Sequence, residues 1–204
     1  GHASNVSTNE PVYNVDKIYL DAFQLQSTPA GLRYPGVNDA INTKMFNGCL
    51  MMNYTGHGGP SGWAHERILT IDDIRSWDNY DAMPLFVTAT CEFTRYDDPA
   101  RISAGEEIVL NPRGGGIAAV STSRLVYAHA NERTNRNFIN NLFAQYQGRF
   151  PTIGEVVMLT KNATAATSND VTNDRKFGLY GDPSLTLAYP KYEVVTTEID
   201  SHSV

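Results

Sequence analysis

Apolar positions along this chain follow two rhythms: short unbroken runs closed by glycine or proline, and longer stretches in which they recur every three or four residues. Residues 1–15 show neither; they are polar, carry Pro11 and predict a flexible tail. Lys17–Phe23, rich in aromatic and branched side chains, predicts a strand. After the loop Ser27–Pro35, apolar residues at 37, 40, 41, 45 and 46 give Val37–Phe46 a helical spacing, which Gly48 ends. Cys49–Tyr54 is a nearly continuous apolar run, the pattern of a parallel strand buried on both faces. The glycine-rich loop Thr55–Pro60 follows it directly.

The same layout repeats downstream. Thr70 can cap a short helix, Ile71–Trp77, with Asp72 and Asp73 in the first turn, where the helix dipole favours negative charge. Pro84 opens the strand Leu85–Thr90, which runs straight into Cys91. A helix over Ala104–Leu110 and the triplet Gly114–Gly116 lead to a third strand, Ile117–Ser121. Helices are expected over Asn131–Tyr146 and Ile153–Ala165, and a last strand over Leu185–Ala188. Strand, crossover, strand in regular succession predicts an α/β fold, a mainly parallel sheet flanked by helices. That fold is expected to span 16–190, with 191–204 a linker or the start of a following region. In such sheets ligands bind beyond the carboxyl ends of the strands. His57, Cys91 and the segment Ser121–Arg124 all come immediately after strands, and so share one edge.

Composition narrows the function classes. With 204 residues, 41% of them hydrophobic, the chain can build one core. A net charge of −6 and only 16 Lys and Arg, scattered along the chain, argue against a nucleic-acid partner. No stretch reaches the ~18 apolar residues that span a bilayer, and the chain does not open on a signal peptide, so an export signal would lie upstream. Gly1–Ser4 reads as the scar of a cleaved tag, which implies a piece of a longer protein. Cys49 and Cys91 allow at most one disulfide, and the absence of CxxC, HExxH and Asp-rich loops predicts neither metal nor cofactor.

A cysteine nucleophile needs a base to form the thiolate, an imidazole to protonate the leaving amine, and backbone N–H groups aimed at the developing oxyanion. His57 and Cys91, 34 residues apart, leave room for one crossover between neighbouring parallel strands. Gly58 and Gly59 let the backbone approach a substrate, which makes the Gly58 and Cys91 amides the natural oxyanion hole. Cys49, inside an apolar run, reads as a small buried hydrophobe. His65 and His129 read as surface or supporting residues. Gly56-His57-Gly58-Gly59 also fits the oxyanion loop of serine esterases, but no G-x-S-x-G elbow follows it. A phosphate-cradling loop would need a Lys-Ser/Thr ending or G-x-G-x-x-G order, and neither is present.

Asn53–Gly59, Trp63-Ala64, Phe86–Cys91, Gly105-Glu106 and Tyr180-Gly181-Asp182-Pro183-Ser184-Leu185, in this order and spacing, resemble the gingipain-type cysteine peptidases of Bacteroidetes. The resemblance covers roughly residues 16–190 and implies a caspase-like fold. Within that family, Gly56–Pro60 followed by Gly62–Glu66 is most similar to the cell-surface sortases of the type IX secretion system. The resemblance therefore implies a surface or outer-membrane location, with secreted cargo bearing a C-terminal signal, anionic lipopolysaccharide and other outer-membrane secretion proteins as partners. Such a sortase is a peptidase whose acyl-enzyme is resolved by an amine.

Carried onto this chain, the resemblance makes His57 the general base and acid and Cys91 the nucleophile. Ser123, Arg124, Val126 and Tyr127 fall where gingipains line their primary specificity pocket. Calcium is implied by the family alone. The acid that orients the histidine in gingipains comes from about sixty residues upstream of it by the same resemblance; Asp16 and Asp21 are the available carboxylates, and neither sits in a matching motif. The expectation is thus an idle part of a catalytic domain, with a raw sheet edge able to self-associate. The alternative is a non-catalytic gingipain-like module that docks partners of the secretion machinery.

Overall fold

The computed structural model describes residues 1–168 and 171–192, with the backbone of 198–199 and 202–203. Four strands form the central sheet: β1 (Met51–Thr55), β2 (Leu85–Ala89), β3 (Ala118–Thr122) and β4 (Phe177–Gly181), hydrogen-bonded in that order. The first three are parallel and β4 runs antiparallel to β3. Six α-helices accompany it among the described residues: α1 (His2–Asn9), α2 (Pro35–Asn47), α3 (Ile71–Ser76), α4 (Ala104–Leu110), α5 (Ala128–Phe143) and α6 (Ile153–Thr167).

The layering follows from strand alternation, which sends successive side chains to opposite faces. Leu85, Val87, Ala89, Ala118 and Val120 pack with Val6 of α1, Phe138 and Leu142 of α5 and Val156 of α6. Phe86 and Ala119 point the other way, into a second core with Val37 and Ile41 of α2, Ile74 of α3, Ile108 of α4 and the buried Trp63. All five residues of β2 are buried, as the continuous run Leu85–Ala89 requires of a central strand. Each large apolar side chain so buried contributes about 1.5–3 kcal/mol.

Several expectations change. The polar N-terminal tail is a helix, α1, anchored by the buried Val6 and by Asn5 hydrogen-bonded to Asn140. Lys17–Phe23 is not a strand, because no strand neighbours it; it makes a single 3-10 turn, Leu20–Ala22, and packs Ile18, Leu20 and Phe23 beside the α2 core. The run from Cys49 gives β1, but as an edge strand whose residues Met51–Tyr54 are half-buried. An open groove of about 480 Å3 runs along it, lined by Val6, Tyr13, Val15, Ile41, Met52 and Phe143 among others. Leu185–Ala188 is not a strand: the carbonyls of Leu185 and Pro183 instead accept the N–H groups of Ile153 and Gly154 at the start of α6 (2.8 and 2.9 Å). The sheet's last strand is β4, where Gly178 and Gly181 weaken the propensity signal. The expected linker 191–204 lies partly outside the described residues; Glu198–Ile199 pairs antiparallel with His202–Ser203.

Candidate active site

β1 and β2 lie in parallel register with Thr55 opposite Ala89, the last pair of their ladder. His57 and Cys91 each come two residues after that pair. Neighbouring strands are about 4.8 Å apart, so the two chains leave the sheet side by side.

The His57 loop folds into a small antiparallel sheet of Gly58–Gly59, Gly62–Trp63 and Leu69–Thr70. The His57 carbonyl accepts two hydrogen bonds, from the Tyr54 hydroxyl at 2.7 Å and from the Ala64 N–H at 2.8 Å. Tyr54 in turn stacks on the buried Trp63, with centroids 4.3 Å apart, and this burial pushes its phenol well above the ordinary range. With its backbone held, His57 keeps an exposed side chain, stacked on the ring of His65 at 5.7 Å. The Ala64 to His57 bond makes Gly58 and Trp63 a non-hydrogen-bonded pair, so the hairpin does not use the Gly58 N–H. Gly58 also presses on the neighbouring loop: a methyl group there would lie 2.6 Å from Thr90 Oγ1.

Cys91 is half-buried, and its thiol donates to the Val126 carbonyl at 3.6 Å. The next residue, Glu92, has a left-handed backbone with φ of 50°, a conformation that costs a non-glycine residue roughly 1–3 kcal/mol. It is held by its N–H to the Arg124 carbonyl at 3.2 Å and by an ion pair with Arg95 at 3.3 Å. The Thr122 hydroxyl donates to the Thr90 carbonyl, and the Thr94 N–H to the Thr122 carbonyl at 2.9 Å. The Cys91 turn is thus stitched to the end of β3 on both sides.

The sequence model of peptidase family C25 matches residues 1–188. The chain belongs to this family, the gingipain family of cysteine peptidases. Among solved structures, the complex of Porphyromonas gingivalis RgpB pro- and mature domains superposes with a TM-score of 0.66 at 18% identity, over 74% of this chain and 37% of that one. The Arg-specific cysteine proteinase gingipain R (RgpB) gives 0.65 at 18% identity, over 74% and 36%. A third, described only as a protease, gives 0.62 at 16% identity, over 71% and 37%. The shared fold is caspase-like α/β. The chain spans a little over a third of the length of these structures. No curated protein matches the sequence.

In this C25 chain the four candidate pocket residues divide. Val126 and Arg124 meet the Cys91 turn through their carbonyls. The Arg124 guanidinium turns away to Asp97, whose carboxyl it holds below the usual range. Ser123 is tied through its N–H to the Lys176 carbonyl at 3.0 Å, and Tyr127 lies under the Lys176 ammonium, 5.2 Å from its ring centroid. His129, expected in a loop, sits exposed in the first turn of α5.

Neither expected carboxylate reaches the histidine. Asp16 pairs with Lys44, Asp21 lies in the Leu20–Ala22 turn, and no side-chain hydrogen bond or ion pair to His57 occurs among the described residues. Both cysteines are free thiols. Burial pushes the Cys49 thiol up, in keeping with its place beside the core. No group of three or more His, Cys, Asp or Glu that could hold a metal ion occurs among the described residues. No described helix is long and apolar enough to cross a membrane. Tyr54, His65 and Thr90 all touch this region; each lies in a stretch that carries the family resemblance, but none was singled out as a site residue from the sequence.

Proposed function

We propose that the chain carries the catalytic pair of a cysteine endopeptidase that also acts as a transpeptidase, with His57 as general base and acid and Cys91 as nucleophile. The observation behind this reading is the register of β1 and β2, which starts the His57 and Cys91 loops at adjacent strand ends. Cys91 gives its proton to His57, and the thiolate attacks the scissile carbonyl carbon. The resulting oxyanion is received by the Gly58 and Cys91 N–H groups. The carbon–nitrogen bond then breaks, His57 returns the proton to the departing amine, and a thioester remains on Cys91. A second nucleophile attacks that thioester, losing its proton to His57 as the Cys91 thiolate leaves. Water completes hydrolysis; an amine completes transfer.

The motif Gly56–Pro60 with Gly62–Glu66 favours transfer, in the manner of the PorU-type sortases of the type IX secretion system. On this reading the protein works at the cell surface or outer membrane of a Bacteroidetes bacterium alongside other outer-membrane secretion proteins. It removes the C-terminal sorting signal of secreted cargo and joins the new carboxyl end to an amine on anionic lipopolysaccharide. The Ser123–Tyr127 segment would receive the residue before the scissile bond. Little or no peptide turnover is expected of these 204 residues alone, since no carboxylate among the described ones orients His57.

Thiol chemistry tests the pair without needing turnover. At neutral pH iodoacetamide should alkylate Cys91 roughly tenfold faster than Cys49, and His57→Ala should abolish that advantage. Two equally slow thiols would instead point to a docking module without catalysis.

A further inference from the structure

The sheet-facing side of α5 carries polar residues where a helix ordinarily presents apolar ones: Asn131 is 5% exposed, Thr134 4% and Asn135 2%. Asparagine is a weak helix former, and a buried amide costs free energy unless its donors and acceptors are met. Here the ends of two strands meet them. Asn135 and Asn53 of β1 exchange amide hydrogen bonds at 2.7 and 3.0 Å, and Asn135 Nδ2 also donates to Thr55 Oγ1 at 3.1 Å. One turn earlier, Asn131 Nδ2 donates to the Ala89 carbonyl at 3.3 Å. Asn131 Oδ1 accepts from Asn173 Nδ2 at 3.1 Å, and Asn173 Oδ1 accepts from the Tyr127 N–H at 3.0 Å.

Helix residues four apart share one face. A single helix therefore grips Thr55 and Ala89, the last rung of the β1–β2 ladder, just before His57 and Cys91. Through Asn173 the same network reaches the residue after Val126, whose carbonyl receives the Cys91 thiol. We infer that Asn131 and Asn135 are positioning residues, a clamp by which α5 sets the spacing between the His57 imidazole and the Cys91 sulfur. β1 depends on such a clamp because, as an edge strand, it is hydrogen-bonded to the sheet from one side only. The inference rests on the reading of His57 and Cys91 as a pair.

The test follows Cys91 alkylation by iodoacetamide from about pH 5 to about pH 9, with Cys49 as internal reference and thermal unfolding recorded alongside. Asn135→Ala should slow Cys91 by roughly tenfold and move its pH profile toward that of His57→Ala, while Cys49 keeps its rate. In the His57→Ala background the same substitution should change nothing further. Thr55→Val is isosteric, lies at an exposed position and removes one arm of the clamp, so it should give a smaller effect of the same sign. It also decides the matter if Asn135→Ala fails to fold. Folded variants with an unchanged Cys91 rate, or equal slowing with and without His57, overturn the clamp. If His57→Ala alone leaves Cys91 unchanged, the paired reading falls first and takes the clamp with it.

Discussion

A methyl group at Gly58 would lie 2.6 Å from Thr90 Oγ1 and 3.0 Å from the Gly62 carbonyl, so the glycine is required by contact between two loops. Gly58→Ala should lose about 1–3 kcal/mol in urea denaturation, the usual cost of overpacking. Thr90 is buried and its hydroxyl has no hydrogen-bond partner among the described residues. Removing it with Thr90→Ala should recover part of that loss in a double-mutant cycle. Strictly additive penalties would mean that Thr90 is not the obstacle. The sequence pointed to Gly58 as an oxyanion donor, but not to its packing against Thr90. Thr90 looked like the end of a strand, and its neighbour lies 32 positions earlier.

The start of α3 was legible in the sequence, because a cap is a local event. Thr70 caps α3 through a capping box with Asp73, and Thr152 does the same for α6 with Glu155. Arg149 adds a bidentate pair to Glu155 at 2.8 and 2.6 Å; that pairing, with the Thr152 amide, lowers the carboxyl to about 2 from an ordinary 4.5. A depressed folded value means that the pairing stabilises the protein above about pH 4.5 and stops doing so as pH falls toward 2. Thermal unfolding of Glu155→Gln should therefore lie below wild type near neutrality, by a small margin because the carboxyl is exposed. The two curves should converge at about pH 2. A constant gap across that range would show that the charge is not the source. β4 was the least legible element: its glycines mask the strand, and only pairing with Ala118–Thr122 makes it one.

For the molecule as a whole, β1 at the sheet edge sets the outstanding physical question. Such an edge offers unpaired N–H and C=O groups, here beside an open groove of about 480 Å3. Self-association through it is expected, and light scattering behind size exclusion should show mass rising with protein concentration. A monomer at every concentration would mean that the neighbouring Tyr13–Leu20 segment shields the edge well enough. Trp63 bridges the scales, stacking on Tyr54 beneath the His57 loop while filling the α2-side core. Trp63→Ala should cost about 3–5 kcal/mol of stability and loosen the His57 backbone together with it.

What the sequence determined by itself was local: parallel strands are written as unbroken apolar runs, the start of α3 as Thr-x-x-Asp, and the ends of two such runs carry a histidine and a cysteine. From that pattern the three parallel strands, the edge they share and the candidate pair could be read. Tertiary structure decided which strand lies at the edge, that β4 is antiparallel, that the polar N-terminus is a helix, and that Asp16 serves Lys44 instead of His57. It also decided the use of Asn131 and Asn135, whose bonds to Ala89 and Asn53 span 42 and 82 positions. A polar residue on a helix carries no mark of such a partner, because the bond exists only once the helix has packed on the sheet.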